Sequence, residues 1–204
     1  MMSNIIIENG PLESTGGKVW PASKHFYEFI CVEFPKPSVV PANVLELGSG
    51  CGWLGMSLAL EFPLWSITMC EQTKFGAKAW LDHNVALNPS ISVQTFDLDW
   101  NAANFSCVWN IVFGCELVYS YEGARLLPRV IANCLTSASV CYYAHTLNRF
   151  PTVDEVFIKE LDKLLDFEVV FGGSDFANRS QYDQLFPELA LVVFRIVLKE
   201  RGAP

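Results

Sequence analysis

The sequence contains no apolar run long enough to cross a membrane. A spanning helix needs about 18 to 20 consecutive apolar residues, and no run in this chain of 204 residues approaches that length. The first ten residues, MMSNIIIENG, have neither the basic region nor the long apolar stretch of a secretion signal. We therefore expect a soluble protein without a membrane partner, located in the cytoplasm or, alternatively, in the nucleus.

Positive charge is scarce. Lysine and arginine together number 14, against 22 aspartates and glutamates, which gives a formal net charge of −8. Nucleic-acid binding depends largely on lysine and arginine contacts to phosphates, so the charge balance argues against a nucleic-acid partner. A protein with a basic surface is a better match for this acidic chain.

Paired cysteines are also missing. The seven cysteines form no CxxC motif and show no spacing typical of a zinc site. An odd number without paired spacing favours the reduced thiols of the cytosol or nucleus. Most of the cysteines lie within or beside apolar runs, which is typical of small core residues. We predict no metal site.

The composition is that of a globular protein, with 51% apolar and 18% charged residues. A chain of this length fits one domain better than two. We predict a single domain over residues 1–204. Within it, residues 1–40 form an N-terminal extension with a short strand at residues 5–7 and a helix beginning at Pro21, and residues 41–204 form the core.

The most informative stretch is VLELGSGCGWLG at residues 44–55. An apolar strand runs into glycines at every second position, Gly48, Gly50 and Gly52, where the backbone can turn sharply and approach a ligand closely. A helix then begins, and its first N–H groups point into the gap, which suits an anionic group. The pattern predicts a small charged cofactor above the turn.

Two cofactors match this stretch. The letters GCGWLG at residues 50–55 satisfy the dinucleotide fingerprint GxGxxG, and Glu71 follows Gly50 by 21 residues, close to the position of a ribose-binding acid. The alternative uses the preceding residues as well, because Glu46 to Gly52 spell ELGSGCG. The two motifs can be distinguished only with the help of the remaining sequence.

Strands and helices alternate along the rest of the chain. The predicted strands are 66–71, 92–96, 109–114, 139–145, 168–171 and 189–198, and a polar connection of residues 172–188 separates the last two. The predicted helices are 52–62, 74–87, one that kinks or restarts at Pro128, and 151–166. In an open parallel sheet, ligands bind beyond the carboxyl ends of the strands, so residues at these ends are the site candidates.

Three strand ends carry suitable chemistry. A carboxylate at Glu71 can accept hydrogen bonds from ribose hydroxyls. The segment DLDW at residues 97–100 offers Asp99 as an acceptor for an exocyclic amine and Trp100 as an indole that can stack on a purine. The segment after the fourth core strand, residues 114–119, should line the place where the reactive end of the cofactor lies.

Together these motifs resemble a known family. GGKVWPA at residues 16–22, VLELGSGCG, the acid at 71, LDW and GCELVY at 114–119 are similar to the motifs of the seven-strand, class I methyltransferases that bind S-adenosylmethionine. The resemblance is greatest to the lysine-directed group of methyltransferase-like proteins. It implies an α/β, Rossmann-like three-layer sandwich with a seven-stranded, mostly parallel sheet whose last strand is antiparallel.

The resemblance also implies roles for individual residues. S-adenosyl-L-methionine would be the cofactor, and the partner would be a protein that carries a target lysine, acted on by a monomer. Glu116 and Tyr119 would orient and surround the lysine amine as the candidate catalytic residues. The cofactor-binding residues would be Trp20, Glu46, Gly48, Ser49, Gly50, Gly52, Glu71, Asp99, Trp100, Gly114 and Cys115.

Other functions stay open at this point. The chain has Glu116 where the family more often has aspartate, and Cys115 where alanine is commoner, which keeps alive a degenerate fold that binds a partner without turnover. A methyltransferase acting on a small molecule also stays open, because a compact chain has little extra surface with which to bind a protein. The dinucleotide alternative lacks support, because the chain has no room for a second nucleotide-binding half or a substrate domain.

Overall fold

The computed structural model describes residues 5–10, 15–34, 40–102, 108–172 and 190–199. The helices are α1 (Pro21–Glu33), α2 (Trp53–Glu61), α3 (Ala77–Ala86), α4 (Tyr121–Cys134) and α5 (Pro151–Leu164). The strands are β1 (Ala42–Leu47), β2 (Trp65–Glu71), β3 (Gln94–Asp97), β4 (Ile111–Cys115), β5 (Val140–Leu147), β6 (Leu165–Phe171) and β7 (Ala190–Leu198). None of the described helices is long and apolar enough to span a membrane.

All seven strands form one sheet in the order β3-β2-β1-β4-β5-β7-β6. The first five strands are mutually parallel, whereas β7 runs antiparallel to both of its neighbours, β5 and β6. The predicted seven-stranded, mostly parallel sheet with an antiparallel last strand is confirmed. A dinucleotide-binding sheet has six parallel strands in the order 3-2-1-4-5-6, and the reversed β7 sets this chain apart from it.

Helices cover both faces of the sheet, because its central strands are buried on both sides and alternate side chains must pack against each layer. Leu45 and Val112 pack on one face with α4 and α5, through residues such as Leu127 and Phe157. Val44 and Phe113, their neighbours in sequence, pack on the other face with α1, α2 and α3. The result is the three-layer sandwich that the sequence predicts.

The predicted strand at residues 5–7 is wrong. This segment joins no strand. Instead, Ile6 donates its amide to Asn88 Oδ1 at 2.9 Å and accepts at its carbonyl from Asn88 Nδ2 at 2.8 Å. Glu8 is held in the same way by Asn84, the preceding amide side chain of the α3 segment. Two asparagine side chains therefore satisfy the backbone that the sequence pattern assigns to a sheet.

Two helix predictions also need correction. The helix predicted at residues 74–87 begins at Ala77 rather than at 74, because Phe75 and Gly76 have φ of +61° and +76° and interrupt the helical conformation. The helix expected to kink or restart at Pro128 is a single element, α4, and the Ser120 hydroxyl accepts from the Gly123 amide at its start. Pro128 is itself buried within this helix.

Some sequence predictions fall outside the described residues. Most of the polar connection 172–188 and the prolines at 35 and 37 belong there. The division into an extension of residues 1–40 and a core of 41–204 stays a prediction, although every strand of the sheet lies between residues 42 and 198.

Candidate active site

The predicted site residues converge at one edge of the sheet. In the strand register Leu47 is paired with Gly114, and Glu71 is paired with Asp97. The turn after β1, the acid at the end of β2 and the segment after β4 therefore follow neighbouring carboxyl ends. This is the edge at which parallel sheets bind ligands.

The glycine turn requires glycine for two reasons. Gly48, Gly50 and Gly52 have φ of +59°, +54° and +83°, a region that is costly for residues with a side chain. In addition, a Cβ at Gly48 would lie 2.4 Å from Leu117 Cδ2, and one at Gly50 would lie 3.1 Å from the Gly16 carbonyl oxygen. The backbone of the turn therefore lies directly against Leu117 and the N-terminal segment, with no space for a side chain at Gly48 or Gly50.

The helix α2 begins directly after this turn, with Gly52 as its N-cap and no side chain capping it. The positive end of the helix dipole thus faces the turn, which favours a negatively charged group. A cradle of glycines next to a helix N-terminus fits the carboxylate and ribose of S-adenosylmethionine.

Glu71 faces the glycine turn. Its Oε2 accepts a hydrogen bond from the Gly50 amide at 3.0 Å, and its Oε1 accepts one from the Gln72 amide at 2.9 Å. Burial raises the pKa of Glu71, although both amide contacts act in the opposite direction. The geometry keeps this carboxylate at the crevice, where a ribose-binding acid was predicted.

Glu46 and Ser49 lie beneath the turn rather than above it. Glu46 is only 4% exposed, and among the described residues its Oε2 has no hydrogen-bond partner. Burial raises the pKa of Glu46 to about 8. The Ser49 hydroxyl donates to the Glu46 carbonyl at 3.2 Å, and the Ser49 amide donates to the Cys70 carbonyl at 2.9 Å. Both residues shape the turn, and direct cofactor contact by either stays a prediction.

Asp99 and Trp100 follow β3. The Asp99 Oδ1 accepts hydrogen bonds from the Asn101 amide at 2.9 Å and from Asn101 Nδ2 at 3.2 Å, so this carboxylate organises its own turn. The Trp100 ring is half-buried and packs against the core cluster beneath α4. Their roles toward an adenine ring stay predictions.

Glu116 is the best-anchored acid of the site. Its φ is +58°, an uncommon conformation for a residue with a side chain. The Thr146 hydroxyl donates to Oε1 at 2.8 Å, and Arg149 Nη1 donates to Oε2 at 2.5 Å. The Glu116 side chain is 6% exposed and that of Arg149 is 27% exposed. The carboxylate is therefore fixed in position and charge-paired.

The segment after Glu116 is fixed by a buried tyrosine. The amides of Leu117 and Val118 donate to the Tyr143 hydroxyl oxygen at 3.0 and 3.1 Å. The same oxygen lies 3.4 Å from His145 Nδ1, and His145 Nε2 lies 2.9 Å from Asp154 Oδ1. A chain of three buried polar side chains thus supports the residues next to Glu116.

Cys115 and Tyr119 occupy contrasting environments. The Ser23 hydroxyl donates to Cys115 Sγ at 3.8 Å. Burial, followed by the charge of Glu116, raises the pKa of the Cys115 thiol far above its usual value, so the thiol is unreactive. The Tyr119 side chain is 48% exposed. It lies outside the core and is not among the residues that line the cavity beside Glu116.

A cavity of about 380 Å³ opens beside Glu116. Its walls come from the N-terminal segment, the end of β4, the end of β5 and the start of β7. Trp20 is one of the lining residues, with Lys18 Nζ 4.7 Å and Arg149 Cζ 5.9 Å from its ring centroid. The lining residues are Lys18, Val19, Trp20, Pro21, Ala22, His25, Glu116, Thr146, Arg149 and Leu191.

Trp20 therefore lines a cavity that does not include the glycines or Glu71. The predicted site separates into two parts that meet at residues 114–116. One part is the cradle of the glycine turn and Glu71, and the other is the cavity of Trp20 and Glu116.

Four residues of this site are not among those predicted from the sequence. Leu117 covers Gly48, Tyr143 holds the segment after Glu116, and Thr146 and Arg149 bind the Glu116 carboxylate. Only Leu117 lies within a motif. The other three come from β5 and the turn after it, about 30 residues from Glu116, where no local pattern marks them. No cluster of three metal-ligating side chains occurs in the described part of the chain.

The strand order and the glycine cradle together define a class I methyltransferase of the kind that uses S-adenosylmethionine. The model of the lysine methyltransferase family matches residues 2–164. The chain belongs to this family, and the dinucleotide alternative is rejected. No curated protein sequence is significantly similar to the chain.

Solved structures agree on the fold. A TehB-like SAM-dependent methyltransferase from Corynebacterium glutamicum is 14% identical over 92% of both chains, with a TM-score of 0.56. The N-methyltransferase NodS from Bradyrhizobium japonicum is 14% identical over 88% of this chain and 89% of its own, with a TM-score of 0.60. The glycopeptide N-methyltransferase MtfA is 14% identical over 87% and 90%, with a TM-score of 0.60. At such identities the likeness establishes the fold alone.

Proposed function

We propose that this protein transfers a methyl group from S-adenosylmethionine to the side-chain amine of a lysine in a protein substrate. The observation that carries the proposal is the position of Glu116: this nearly buried carboxylate borders a cavity and directly follows β4, the strand that pairs with β1 just before the glycine turn. Membership of the lysine methyltransferase family supports the same acceptor.

The cofactor would be held by the glycine turn, by Glu71 at its ribose, and by Asp99 and Trp100 at its adenine. When bound, it supplies a methyl group already activated by the sulfonium. The protein must then chiefly align an incoming amine, because positioning alone accounts for a large share of such rate enhancements.

The acceptor amine would enter the cavity and approach Glu116. A free lysine with a pKa of about 10.4 is only about 0.1% neutral near pH 7.4, so the site must favour the neutral amine. Partial burial of the amine acts in that direction, because desolvation disfavours its charged form. Glu116 would orient the amine, the Cys115 carbonyl would accept a second hydrogen bond, and Tyr119 would form part of the apolar wall. This arrangement needs no separate base.

The remaining attributes of the proposal come from the sequence. We propose a single-domain monomer that acts in the cytoplasm on a protein with a basic surface, without nucleic-acid or membrane partners. The net charge of −8 supports this choice of partner.

The test is methyl transfer from radiolabelled S-adenosylmethionine to proteins of a cell extract, with acid hydrolysis of the labelled protein. We expect a discrete labelled band that yields methyllysine, and loss of that band with Glu116→Gln. Label confined to the low-mass fraction would indicate a small-molecule acceptor. Cofactor binding by calorimetry without any labelled acceptor would indicate a binding module.

A further inference from the structure

The cavity beside Glu116 has an unexpected charge balance. Although the whole chain carries a net charge of −8, the described residues that line this cavity include Lys18 and Arg149, and Glu116 is the only acid among them. His25 also lines it, but its Nδ1 lies 3.6 Å from Glu28 Oε2, so His25 has a carboxylate of its own nearby. The described lining of this cavity therefore has a net positive charge in an acidic protein.

The negative charge of Glu116, the single acid among the described lining residues, is already neutralised within the protein. Glu116 accepts hydrogen bonds from Arg149 at Oε2 and from Thr146 at Oε1. Its negative charge is thus balanced by the Arg149 guanidinium before any substrate arrives. The remaining positive charge belongs to Lys18, which lies over the Trp20 ring at 4.7 Å, and no carboxylate of the described residues pairs with it.

A lysine substrate adds further positive charge to this cavity. The acceptor arrives mainly as an ammonium ion, and the sulfonium of the cofactor adds another positive charge at the reacting end of the site. A lysine whose immediate neighbours are uncharged or basic would therefore be disfavoured at the mouth of the cavity, even on a protein whose wider surface is basic, because like charges at close range are costly where water is partly excluded.

We infer that the acceptor carries an acidic side chain next to the methylated lysine, and that Lys18 binds this side chain at the rim of the cavity. The Trp20 ring beneath Lys18 supplies an apolar surface for the stem of the substrate lysine. The inference rests on the proposed function and narrows its substrate class to lysines with an Asp or Glu neighbour, either in sequence or on the folded surface.

The test begins with the labelled protein from a cell extract. Mass spectrometry locates the methylated lysine, and the acidic neighbour is then replaced by its amide in the purified substrate. We expect the amide to raise KM about tenfold with little change in kcat, because charge recognition at a rim acts equally on the ground state and the transition state. The difference should shrink at high salt.

Variants of the enzyme provide the reciprocal test. Lys18→Glu should lower kcat/KM about tenfold on the natural substrate, Lys18→Arg should retain it, and a substrate with lysine in place of the acid should recover activity with Lys18→Glu. Lys24→Glu is the matched control, since Lys24 is exposed on α1 and does not line the cavity. It makes the same change in net charge and should leave kcat/KM within twofold.

Three results would overturn the inference. They are a methylated lysine without an acidic neighbour, a substrate amide that reacts as well as the acid, and equal losses for the variants at positions 18 and 24. Absence of any labelled protein would instead overturn the proposed function, and the inference with it. Label found only in a low-mass acceptor would have the same consequence.

Discussion

The Gly50 amide donates a hydrogen bond to Glu71 Oε2 at 3.0 Å and thereby joins the turn after β1 to the end of β2. Because the second oxygen of Glu71 accepts from the Gln72 amide, the carboxylate is held in place without a ligand. Side chains fixed before binding lose little entropy when a ligand arrives. The carboxylate that we propose as the ribose ligand is therefore already held in position.

Replacement of Glu71 should weaken cofactor binding. Glu71→Ala removes a charged acceptor and also frees the Gly50 amide, and hydrogen bonds to charged groups are worth about 1.5–3 kcal/mol each. We expect the dissociation constant for S-adenosylhomocysteine, measured by calorimetry, to rise about 10- to 100-fold. Glu168→Ala is the control, because Glu168 lies on the edge strand β6 and pairs with Arg195. Equal affinities for both variants would contradict the assignment.

Alanine substitutions at two glycines can distinguish the effect of backbone strain from the effect of a side chain that obstructs the cofactor site. Gly48→Ala introduces a side chain at φ +59° and 2.4 Å from Leu117 Cδ2, whereas Gly76→Ala introduces one at φ +76° with no atom within 4 Å. Both should lose about 1–2 kcal/mol of stability from the left-handed conformation, and Gly48→Ala should lose more because the Leu117 side chain has to move. Only Gly48→Ala should also abolish cofactor binding, as measured by calorimetry on the folded variant. Retained binding would show that the turn does not hold the cofactor.

The residues of the glycine turn and Glu71 could be predicted from the sequence, whereas the residues that surround Glu116 could not. Buried parallel strands are continuous apolar runs, and glycines with positive φ leave a visible pattern, so residues 44–52 and Glu71 were predictable. Thr146 and Arg149 were not, because they meet Glu116 only through the pairing of β4 with β5. The left-handed conformation of Glu116 also has no sequence signal, since glycine is absent from that position.

The N-terminal segment illustrates the same limit. Three isoleucines at residues 5–7 have high strand propensity, yet propensity is weak evidence when a tertiary partner competes. Here that partner is Asn88, which lies 82 residues away from Ile6 and satisfies both its backbone groups. A side-chain partner at that separation cannot be predicted from local patterns.

Loss of the Glu116 charge should affect turnover more than cofactor binding. Glu116→Gln keeps the shape of the side chain but removes its negative charge, so Arg149 loses its ionic partner. The uncharged glutamine side chain should also bind and orient the substrate amine less well than the carboxylate does. We expect kcat to fall about 100-fold, while the dissociation constant for the cofactor changes less than threefold. Glu155→Gln on the exposed face of α5 is the control. Turnover equal to that of the unmodified protein would exclude Glu116 from the reaction.

The buried Tyr143 hydroxyl should matter for stability. Tyr143→Phe leaves the amides of Leu117 and Val118 without their acceptor, and an unsatisfied buried donor costs about 1–3 kcal/mol. Tyr142→Phe is a neighbouring control, because the Tyr142 hydroxyl bonds the Glu33 carboxylate at a partly buried position. Urea unfolding should show a larger loss for Tyr143→Phe. Equal losses would mean that the segment after Glu116 is held by other contacts.

Glu46 should make the stability of the fold depend on pH. Burial raises the pKa of this carboxyl from 4.5 to about 8 in the folded state. Between these two values the folded protein holds a proton that the unfolded chain has released, so the stabilising contribution is complete below the lower pKa and is lost as the pH rises through the upper one. A single such group gives a slope of at most about 1.4 kcal/mol per pH unit.

Glu46→Gln removes this titration while it keeps the size of the side chain. Urea unfolding at pH 5, 6, 7 and 8 should show the unmodified protein losing stability relative to the glutamine variant with each step. Because other groups titrate equally in both proteins, the difference between the two curves isolates position 46. If the stabilities of the two proteins change with pH in parallel, Glu46 is ionised in the folded state. Its Oε2, which has no partner among the described residues, would then have to accept a hydrogen bond from another group.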